Sequence, residues 1–332
     1  MRVNSGKYKG RLILPPKNDN VRPTTDKVRE AIFGVLRDET ENAVVVDLFA
    51  GSGALGIEAL SRGAKKVYFC DASNESIALL KQNVAFLEEG SFEILRGDYN
   101  DCLARLAGRN IQADIILCDP PYGKGIPEQA LSAIKEKGVL AKNGMVVVER
   151  ETFDLPARKS FAYVSSKEYG KTALDFYRNQ KKCAVTGTFD PFTLGHKYVV
   201  EKALEQNDFC YVVMLNNEEK QARYSVKNRL RMIELTLKAY KRRIRVEYSE
   251  GMTADYCKEN GIETIYRGVR NETDRAYEKV MADYNREHGG VETVLVPAKN
   301  EISSSDVKKK FDAGESVYGM VDDDVVGLMR KR

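Results

Sequence analysis

Two segments of the chain each join an apolar strand-like run, a glycine-containing turn and the start of a helix. The first is DLFAGSGALGIEALSRGA (47–64) and the second is CAVTGTFDPFTLGH (183–196). Glycine permits the tight turning and the close backbone approach that such a junction requires. In open α/β sheets, ligands bind beyond the carboxyl ends of the strands, where these turns lie. Two such openings in 332 residues predict two α/β domains.

Strands alternate with helices around both openings, which predicts two mostly parallel, doubly wound sheets. The strands of the first half are expected at 44–49, 66–71, 92–98, 114–122, 145–150 and 173–179, with helices at 25–37 (capped by Asp26), 54–62 and 75–86. The strands of the second half are expected at 183–192, 209–215, 245–248, 264–269 and 293–298, with helices at 196–206, 225–239, 274–287 and from Ser304. The polar run RNQKK (178–182) divides the chain into domains 1–179 and 180–332.

Composition narrows the class of protein. Apolar residues make up 42% and charged residues 31%, as in ordinary globular proteins. No apolar stretch approaches the roughly 20 residues of a membrane span, and MRVNSGKYKG is no secretory signal, so we expect a cytoplasmic protein. The six cysteines form no CxxC pair and are expected to be buried, reduced thiols. Only two histidines are present, which excludes a histidine-rich metal site, and no metal-ligating side chains are predicted.

The charge is distributed unevenly along the chain. The net charge of +4 is too small to indicate a nucleic-acid partner. Residues 1–37, however, carry nine Lys/Arg against three acidic residues. A solvated basic face and a contact with a phosphate backbone both remain open explanations.

The first glycine turn fits three interpretations. Gly51, Gly53 and Gly56 have the GxGxxG spacing of a dinucleotide site, but this match alone is weak. The next strand ends in Asp71, 24 residues after Asp47, where a carboxylate can bind ribose hydroxyls. Nicotinamide sites and S-adenosylmethionine sites share that feature, and purely structural glycines are the third explanation.

The motif DPPY (119–122) favours a methyltransferase. Its two prolines fix φ and stiffen the turn, so Asp119 and nearby carbonyls can hold an exocyclic amine. Tyr122 can then stack on an extruded base. An oxidoreductase does not need this arrangement, and a plain structural turn does not explain its position beside DLFAGSG.

Residues 1–179 resemble the 16S rRNA (guanine-N2)-methyltransferase family. The likeness is carried by RVNSGKYKGR (2–11), RPTTDKVREAIF (22–33), DLFAGSGALGIEALSRGA (47–64), GD (97–98), DPPY (119–122) and FYR (176–178). It implies methyl transfer from S-adenosylmethionine to N2 of one guanine in the small ribosomal subunit. DNA adenine methyltransferases share DPPY, and this alternative is disfavoured by the basic RPTTD arm.

The resemblance also implies roles for individual residues. Asp47, Gly51 and Gly53 would line the donor site, Asp71 would hold the ribose, and Asp98 would lie near the adenine. The guanine amine would be held by Asp119, Pro120 and Tyr122. The residues placed near the donor and the RNA are Arg22, Thr24 and Thr25.

The second opening carries the pattern TxGH at Thr193, Gly195 and His196. Gly195 lets a phosphate approach the helix N-terminus, where backbone N–H groups favour anions. His196 can donate a hydrogen bond to an α-phosphate oxygen as charge develops there. A structural helix-start histidine is the simpler explanation, but the surrounding GTFDPxTxGH pattern disfavours it. A triphosphate cradle would be completed by Lys220, Arg229, Arg267, Arg270 and the serines 303–305, unless these cations only form surface ion pairs.

Residues 183–330 resemble phosphopantetheine adenylyltransferase, a member of the TxGH nucleotidyltransferase superfamily. The likeness rests on GTFDPxTxGH, RGxRNxTD with a following YE, and ISSS. It implies ATP plus 4′-phosphopantetheine giving dephospho-coenzyme A and pyrophosphate, with Mg²⁺ on the triphosphate. It further implies feedback binding of coenzyme A and a homo-oligomer formed through the C-terminal domain.

By this likeness, Thr188 and Lys220 orient the substrate phosphate, which Arg267 holds, and His196 contacts the α-phosphate. The ATP side comprises Phe189, Arg270, Glu278, Ser303, Ser304 and Ser305. The sequence departs from the family at Thr186, where proline is usual, at Arg275 and Ala276, and in the short segment after Pro297. The leading interpretation is a fused bifunctional enzyme. The alternative is that one half only binds a ligand or the ribosome.

Overall fold

The computed structural model describes residues 1–16, 25–121, 125–215, 222–298 and 302–330. The chain divides into two compact units, unit 1 (Met1–Asn179) and unit 2 (Gln180–Arg332). Within the described ranges, no helix is long and apolar enough to cross a membrane. The six cysteines are all buried and free.

Unit 1 contains a seven-stranded sheet of order β3-β2-β1-β4-β5-β7-β6. Its strands are β1 (Val44–Asp47), β2 (Lys66–Asp71), β3 (Phe92–Arg96), β4 (Ala113–Cys118), β5 (Leu140–Glu151), β6 (Ala162–Tyr169) and β7 (Thr172–Arg178). Its helices are α1 (Asp26–Leu36), α2 (Ala54–Ser61), α3 (Asn74–Val84), α4 (Tyr99–Gly108) and α5 (Ile126–Lys137). The first five strands are parallel, while β7 runs antiparallel to both β5 and β6. Apolar clusters cover the two faces of the sheet.

The third glycine of the first turn is required by helix packing. A Cβ on Gly56 would lie 2.2 Å from the ring of Phe69 in β2, a separation that real Cβ atoms do not reach. The missing side chain therefore lets α2 approach β2 closely. This explains why the GxGxxG spacing includes a glycine that lies inside the helix.

Helix α1 is capped by Thr25, and the prediction that Asp26 caps it is wrong. The Thr25 backbone is extended, and its hydroxyl accepts the N–H of Val28 at 3.3 Å. Asp26 lies in the first turn, where its carboxylate pairs with the fully buried Arg29 at 2.5 Å. Threonine can cap because its side-chain oxygen reaches a free amide while its own φ and ψ remain non-helical.

The N-terminal arm, residues 1–16, is attached to α2. The carboxylate of Glu58, which is fully buried, accepts the backbone N–H groups of Asn4 at 2.7 Å and Ser5 at 3.1 Å. The guanidinium of Arg62 donates to the same carboxylate at 2.7 Å. These bonds fix the basic arm relative to the glycine turn that precedes α2.

Unit 2 contains a five-stranded, wholly parallel sheet of order β10-β9-β8-β11-β12. Its strands are β8 (Lys182–Gly187), β9 (Phe209–Leu215), β10 (Ile244–Ser249), β11 (Thr264–Val269) and β12 (Glu292–Pro297). Its helices are α6 (Leu194–Gln206), α7 (Val226–Thr236), α8 (Thr253–Asn260), α9 (Glu272–Gly289), α10 (Ser304–Asp312) and α11 (Asp323–Met329). The fold class predicted from the sequence, two doubly wound α/β domains, is confirmed.

Candidate active sites

The turn between β1 and α2 forms the first candidate site. Gly51 and Gly53 adopt left-handed φ values of 52° and 81°, which favour glycine. Asp71, the last residue of β2, accepts the N–H of Gly51 at 2.8 Å and that of Ser73 at 2.8 Å. A Cβ on Gly51 would meet nothing within 4 Å. The backbone at Gly51 is therefore accessible to a ligand, while the Asp71 carboxylate fixes the shape of the turn.

Asp47 supports this turn from the interior. Its side chain is 1% exposed, and Oδ2 accepts the N–H of Gly56 at 3.0 Å. Among the described residues, Oδ1 has no hydrogen-bond partner. The pKa of Asp47 is raised to about 7: burial is the main cause, the Gly56 N–H opposes the rise, and the nearby Asp119 and Asp71 carboxylates add to it. A positive charge nearby would stabilise the ionised form of this carboxylate.

The Asp-Pro-Pro turn lies beside the glycine turn. Strands β1 and β4 are neighbours, with Asp47 paired to Leu117, so Asp119 leaves the sheet at the same edge. Asp119 is half-buried and Pro120 is buried. The structure thus brings Asp47, Asp71 and Asp119 together at the carboxyl ends of three strands.

The remaining predicted residues of unit 1 lie at element starts or outside the described residues. Asp98 is exposed and caps α4, accepting the N–H of Asp101 at 2.9 Å. Thr25 caps α1, as described above. The residues that fall outside the described ranges are Arg22, Thr24 and Tyr122.

Asn83 is a residue of this site that the sequence did not reveal. It is buried in α3 and uses its whole side-chain amide. Oδ1 accepts the N–H of Leu14 at 2.8 Å, while Nδ2 donates to the carbonyls of Leu14 at 3.0 Å and Ser52 at 2.9 Å. Asn83 therefore joins the N-terminal arm to the glycine turn. Its partners are 69 and 31 residues away in sequence, so no local pattern indicates this role.

In unit 2, the predicted residues line one cavity of about 430 Å³. The cavity lies where β8 and β11 end and where α6 and α10 begin. The predicted residues that line it are Thr188, Phe189, Gly195, His196, Arg229, Arg267, Arg270, Glu278, Ser303, Ser304 and Ser305. Lys220 falls outside the described residues.

His196 is held as a neutral imidazole with a defined tautomer. The backbone N–H of Thr193 donates to Nδ1 at 3.0 Å, so Nδ1 is an acceptor and the ring proton must reside on Nε2. Burial lowers the pKa of His196 to about 4, helped by the positive charges of Arg267 and Arg270. The rings of Phe189 and Phe192 pack at 5.1 and 5.3 Å from the imidazole. The neutral His196 ring can therefore donate one hydrogen bond, from its Nε2–H group.

Arg267 is fixed by two partners. Its Nε and Nη2 donate to the Glu278 carboxylate at 2.9 and 2.7 Å, a bidentate geometry that sets the plane of the guanidinium. Its Nη1 donates to the carbonyl of Thr186 and to the Thr186 hydroxyl at 3.1 Å. Thr186, the residue that departs from the usual proline, thus supplies an additional acceptor for Arg267.

Asp190 joins three parts of the unit 2 site. Its carboxylate accepts the backbone N–H groups of Arg223 at 2.9 Å and Tyr224 at 3.0 Å, and it pairs with the Lys308 ammonium at 3.0 Å. Burial alone would raise the pKa of Asp190, but these three donors outweigh it and hold the pKa below its ordinary value. The acid lies inside the GTFDP motif, so the motif itself was the signal that sequence reasoning left unused.

The other polar side chains of the cavity lie at or near the first residues of helices α9 and α10, where hydrogen bonds and an ion pair hold them. Ser303 caps α10 by accepting the N–H of Asp306 at 3.0 Å, and the Ser304 hydroxyl donates to the carbonyl of Pro191 at 2.9 Å. Arg270 pairs with Asp274 at 2.7 Å near the start of α9. Cations and hydroxyls therefore converge on one cavity, a chemistry suited to polyphosphate.

The fold and site of unit 1 define a Rossmann-like methyltransferase, and those of unit 2 define a TxGH nucleotidyltransferase. The family model described as "Conserved hypothetical protein 95" matches residues 1–178, and the model described as "Cytidylyltransferase-like" matches residues 184–310. The chain therefore belongs to the first of these families through unit 1 and, by the relative described next, to the phosphopantetheine adenylyltransferases through unit 2.

Three relatives represent these matches. "Ribosomal RNA small subunit methyltransferase D" of Escherichia coli is 33% identical over 151 residues, covering 46% of this chain and 75% of that protein. The protein of the same name from Haemophilus influenzae is 32% identical over 183 residues, covering 54% of this chain and 94% of that protein. "Phosphopantetheine adenylyltransferase" of Thermotoga neapolitana is 36% identical over 150 residues, covering 44% of this chain and 92% of that protein.

Proposed function

We propose that this chain is a bifunctional enzyme. Residues 1–179 transfer a methyl group from S-adenosylmethionine to N2 of a guanine in 16S rRNA of the small ribosomal subunit. Residues 180–332 transfer adenylyl from ATP to 4′-phosphopantetheine, giving dephospho-coenzyme A and pyrophosphate. The observation that carries the proposal is that each compact unit gathers residues of its own predicted site at the carboxyl edge of its own sheet: Asp47, Asp71 and Asp119 in unit 1, and the residues that line the cavity in unit 2.

The glycine turn of unit 1 fits a sulfonium cofactor. Gly51 offers accessible backbone, Asp71 offers a carboxylate at the end of β2, and the buried Asp47 has an oxygen that lacks a described partner. When bound, S-adenosylmethionine supplies an electrophilic methyl group and a positive charge, which these carboxylates would stabilise. Asp98, exposed at the start of α4, is assigned to the adenine side.

The methyl acceptor is assigned to the Asp-Pro-Pro turn. The lone pair of guanine N2 is delocalised into the ring, so this amine is a poor nucleophile. The Asp119 carboxylate and the Pro120 carbonyl would accept its N–H bonds and return electron density to nitrogen. Alignment of the amine with the methyl group supplies much of the remaining acceleration. Tyr122 is assigned to stack on the base, and Arg22, Thr24 and Thr25 to contact the RNA.

We expect the substitution Asp119→Ala to abolish methyl transfer while leaving cofactor binding intact. The carboxylate acts on the amine, whereas the glycine turn and Asp71 hold the donor. The measurement is tritium transfer to small ribosomal subunits, with binding of S-adenosylmethionine determined in parallel. Asp101→Ala, an exposed acid in α4, is the control and should transfer normally. Undiminished methylation by Asp119→Ala would remove the assigned role.

In unit 2 the reaction is an in-line displacement at the α-phosphate. An oxygen of the pantetheine phosphate forms the new bond to phosphorus while the bond to pyrophosphate breaks, with no covalent enzyme intermediate. His196 would donate a hydrogen bond from its Nε2–H group to an α-phosphate oxygen as negative charge develops there. A neutral imidazole can do this without first accepting a proton. Arg267, Thr188 and Lys220 are assigned to the phosphate of the acceptor.

The ATP side of the cavity is assigned to Phe189, Arg270, Glu278 and the serines 303–305. Mg²⁺ is proposed only as the companion of the triphosphate, since this ion typically keeps several waters and binds phosphate oxygens. Activity with ATP should then disappear on chelation and return with added Mg²⁺.

Pyrophosphate release from ATP and 4′-phosphopantetheine tests the second activity. We expect turnover by the full chain, and we expect His196→Ala to lose at least about 100-fold, the typical loss for one such donor. His288→Ala, which changes the only other histidine, is the matched control. If the full chain bound ATP or coenzyme A without turnover, unit 2 would be a ligand-sensing module attached to a methyltransferase.

Three further properties are part of the proposal. They are a cytoplasmic location, where all four substrates are available, feedback binding of coenzyme A, and assembly of a homo-oligomer through unit 2. Cell fractionation tests the first. Inhibition of pyrophosphate release by coenzyme A and the mass of the purified protein in solution test the other two.

A further inference from the structure

The loop that follows β5, at the sheet edge that also carries the site of unit 1, exposes two large apolar side chains. Phe153 is 77% exposed and Leu155 is 90% exposed. We propose that these two residues, the apolar tip, contact unpaired RNA next to the target guanine, with Phe153 stacking on a flanking base. This inference rests on the function proposed for unit 1 and adds the surface that recognises its RNA.

The apolar tip is held rigidly by Arg150. The guanidinium is buried, and its Nε and Nη2 donate to the buried Asp175 at 2.6 and 3.1 Å. Its Nη1 donates to the carbonyls of Glu151 at 3.0 Å and Asp154 on either side of Phe153. A buried ion pair gives little net stability, so its effect here is to fix the loop. A preorganised tip loses less conformational entropy when a partner binds.

The apolar tip lies at the edge of the sheet that carries Asp119. Strands β4 and β5 are parallel neighbours with Cys118 paired to Val148, so both chains leave the sheet in the same direction. Phe153 follows the end of β5 by two residues. The Asp-Pro-Pro turn and the apolar tip therefore lie at the same edge of the sheet.

Lysines continue the same edge. The N–H of Thr152 donates to the carbonyl of Lys171 at 3.0 Å, which joins the loop of the tip to the turn between β6 and β7. The Lys27 ammonium of α1 lies 5.7 Å from the centre of the Tyr169 ring in the same turn region. Lys27 and Lys171 are both exposed. The edge thus combines an apolar tip, which has the exposed Asp154 between its two residues, with the cations Lys27 and Lys171, and it continues to Thr25, which is assigned to the RNA.

Unpaired RNA matches this combination. Bases in loops are unstacked, can stack on aromatic side chains and carry a phosphate backbone that lysines attract. A protein partner would use the apolar tip but would not need the lysines at the same edge. The chemistry therefore favours single-stranded RNA over a ribosomal protein as the occupant.

The test uses the full chain carrying Phe153→Ala together with Leu155→Ala. We expect the KM for small subunits to rise by on the order of tenfold, since one base stack contributes roughly that factor. The KM for S-adenosylmethionine and the kcat at saturating subunits should not change. The single variant Phe153→Tyr, which keeps the aromatic ring and leaves Leu155 in place, should have the wild-type KM for small subunits. Val280→Ala, which truncates an apolar residue of unit 2 that is 68% exposed, is the matched control.

Binding to a protein-free 16S rRNA fragment separates the two kinds of partner. An equal loss of affinity for this fragment supports the inference, whereas a loss seen only with assembled subunits identifies a ribosomal protein and overturns it. An unchanged KM for subunits in the double variant, with normal transfer by the wild type, overturns this inference alone. A wild-type chain that transfers no methyl group to RNA overturns the proposed function and this inference together.

Discussion

At the scale of single residues, each site contains one titratable side chain whose pKa the fold shifts away from its ordinary value. The carboxylate of Asp47 is buried, one of its oxygens has no hydrogen-bond partner among the described residues, and its pKa is raised to about 7. The imidazole of His196 is half-buried between aromatic rings near two arginines, and its pKa is lowered to about 4. In both cases the shift favours the neutral form of the side chain. A charged substrate that binds beside it can therefore change its protonation or its hydrogen bonding.

The titration of His196 can be observed directly. We expect its imidazole signals in NMR spectra to stay constant from pH 8 to about pH 5 and to move only near pH 4. Protonation must break the bond from the Thr193 N–H to Nδ1, which explains the resistance. The chain has only two histidines, so His288→Gln assigns the signals. A midpoint near 6.5 would contradict the neutral imidazole held between the aromatic rings.

The same shift has a consequence for stability. An unfolded chain takes up the proton near the ordinary pKa of about 6.5, whereas the folded chain does so near 4. The folded state therefore binds fewer protons between these values, and unit 2 loses stability as pH falls from about 6.5 to about 4. The protonation of His196 lowers the free energy of unfolding by on the order of 3 kcal/mol across this pH range.

At the scale of elements, long-range hydrogen bonds hold the helices and loops of each site in place. Asp190 joins the end of β8, the segment before α7 and helix α10. Arg229 of α7 reinforces this link, donating to the carbonyls of Thr188 at 2.8 Å and Tyr224 at 3.1 Å. Cavity walls from three elements are thus tied together by two side chains.

We expect Asp190→Asn to lower the rate of adenylyl transfer by about tenfold or more. We also expect it to lower the free energy of unfolding of unit 2 by roughly 1–3 kcal/mol, because an amide offers only one acceptor oxygen and leaves the Lys308 ammonium unpaired. Methyl transfer by the same protein should be unchanged and serves as an internal reference. Asp312→Asn is the matched control, since this exposed carboxylate pairs with the Arg223 guanidinium at 2.6 Å. Exposed pairs contribute little, so equal losses in both variants would refute the role of Asp190. The measurements are pyrophosphate release and thermal unfolding.

The central strands and the motif residues were predictable because both signals are local. β9 is a continuous apolar run, β1 is apolar up to its last residue, Asp47, and the residues of TxGH lie within four positions of one another. Helices α4, α5, α8 and α11 were missed because each buries only three or four residues. Strand β6 was missed because its sequence AYVSSKEY is largely polar and its pairing with β7 contains a register shift.

The sites themselves were predictable only in part. The residues within motifs could be named, but the side chains that hold the motifs could not. Glu58 and Asn83 bind partners 54 and 69 residues away, and Lys308 reaches Asp190 across 118 residues. Such contacts exist only once the chain has folded. The antiparallel direction of β7 depends in the same way on tertiary pairing.

At the scale of the whole molecule, the chain is two compact units that divide between Asn179 and Gln180. Asn179 belongs to unit 1, where it pairs through its backbone with Asn143 and Gly144 at 3.0 Å each. Lys181 belongs to unit 2, where its N–H donates to the Asp208 carboxylate at 3.0 Å. Each unit also has apolar clusters formed only from its own residues.

We therefore expect the fragments 1–179 and 180–332 to fold separately, each with the kcat and KM of its activity in the full chain. A cut at this peptide leaves the bonds of Asn179 and Lys181 intact. The fragment 1–171 is the control: it lacks β7, the strand that lies between β5 and β6, and should fail to fold. A large loss of either activity in the correctly divided fragments would mean that one unit depends on the other, and the two activities would then have a physical reason to share a chain.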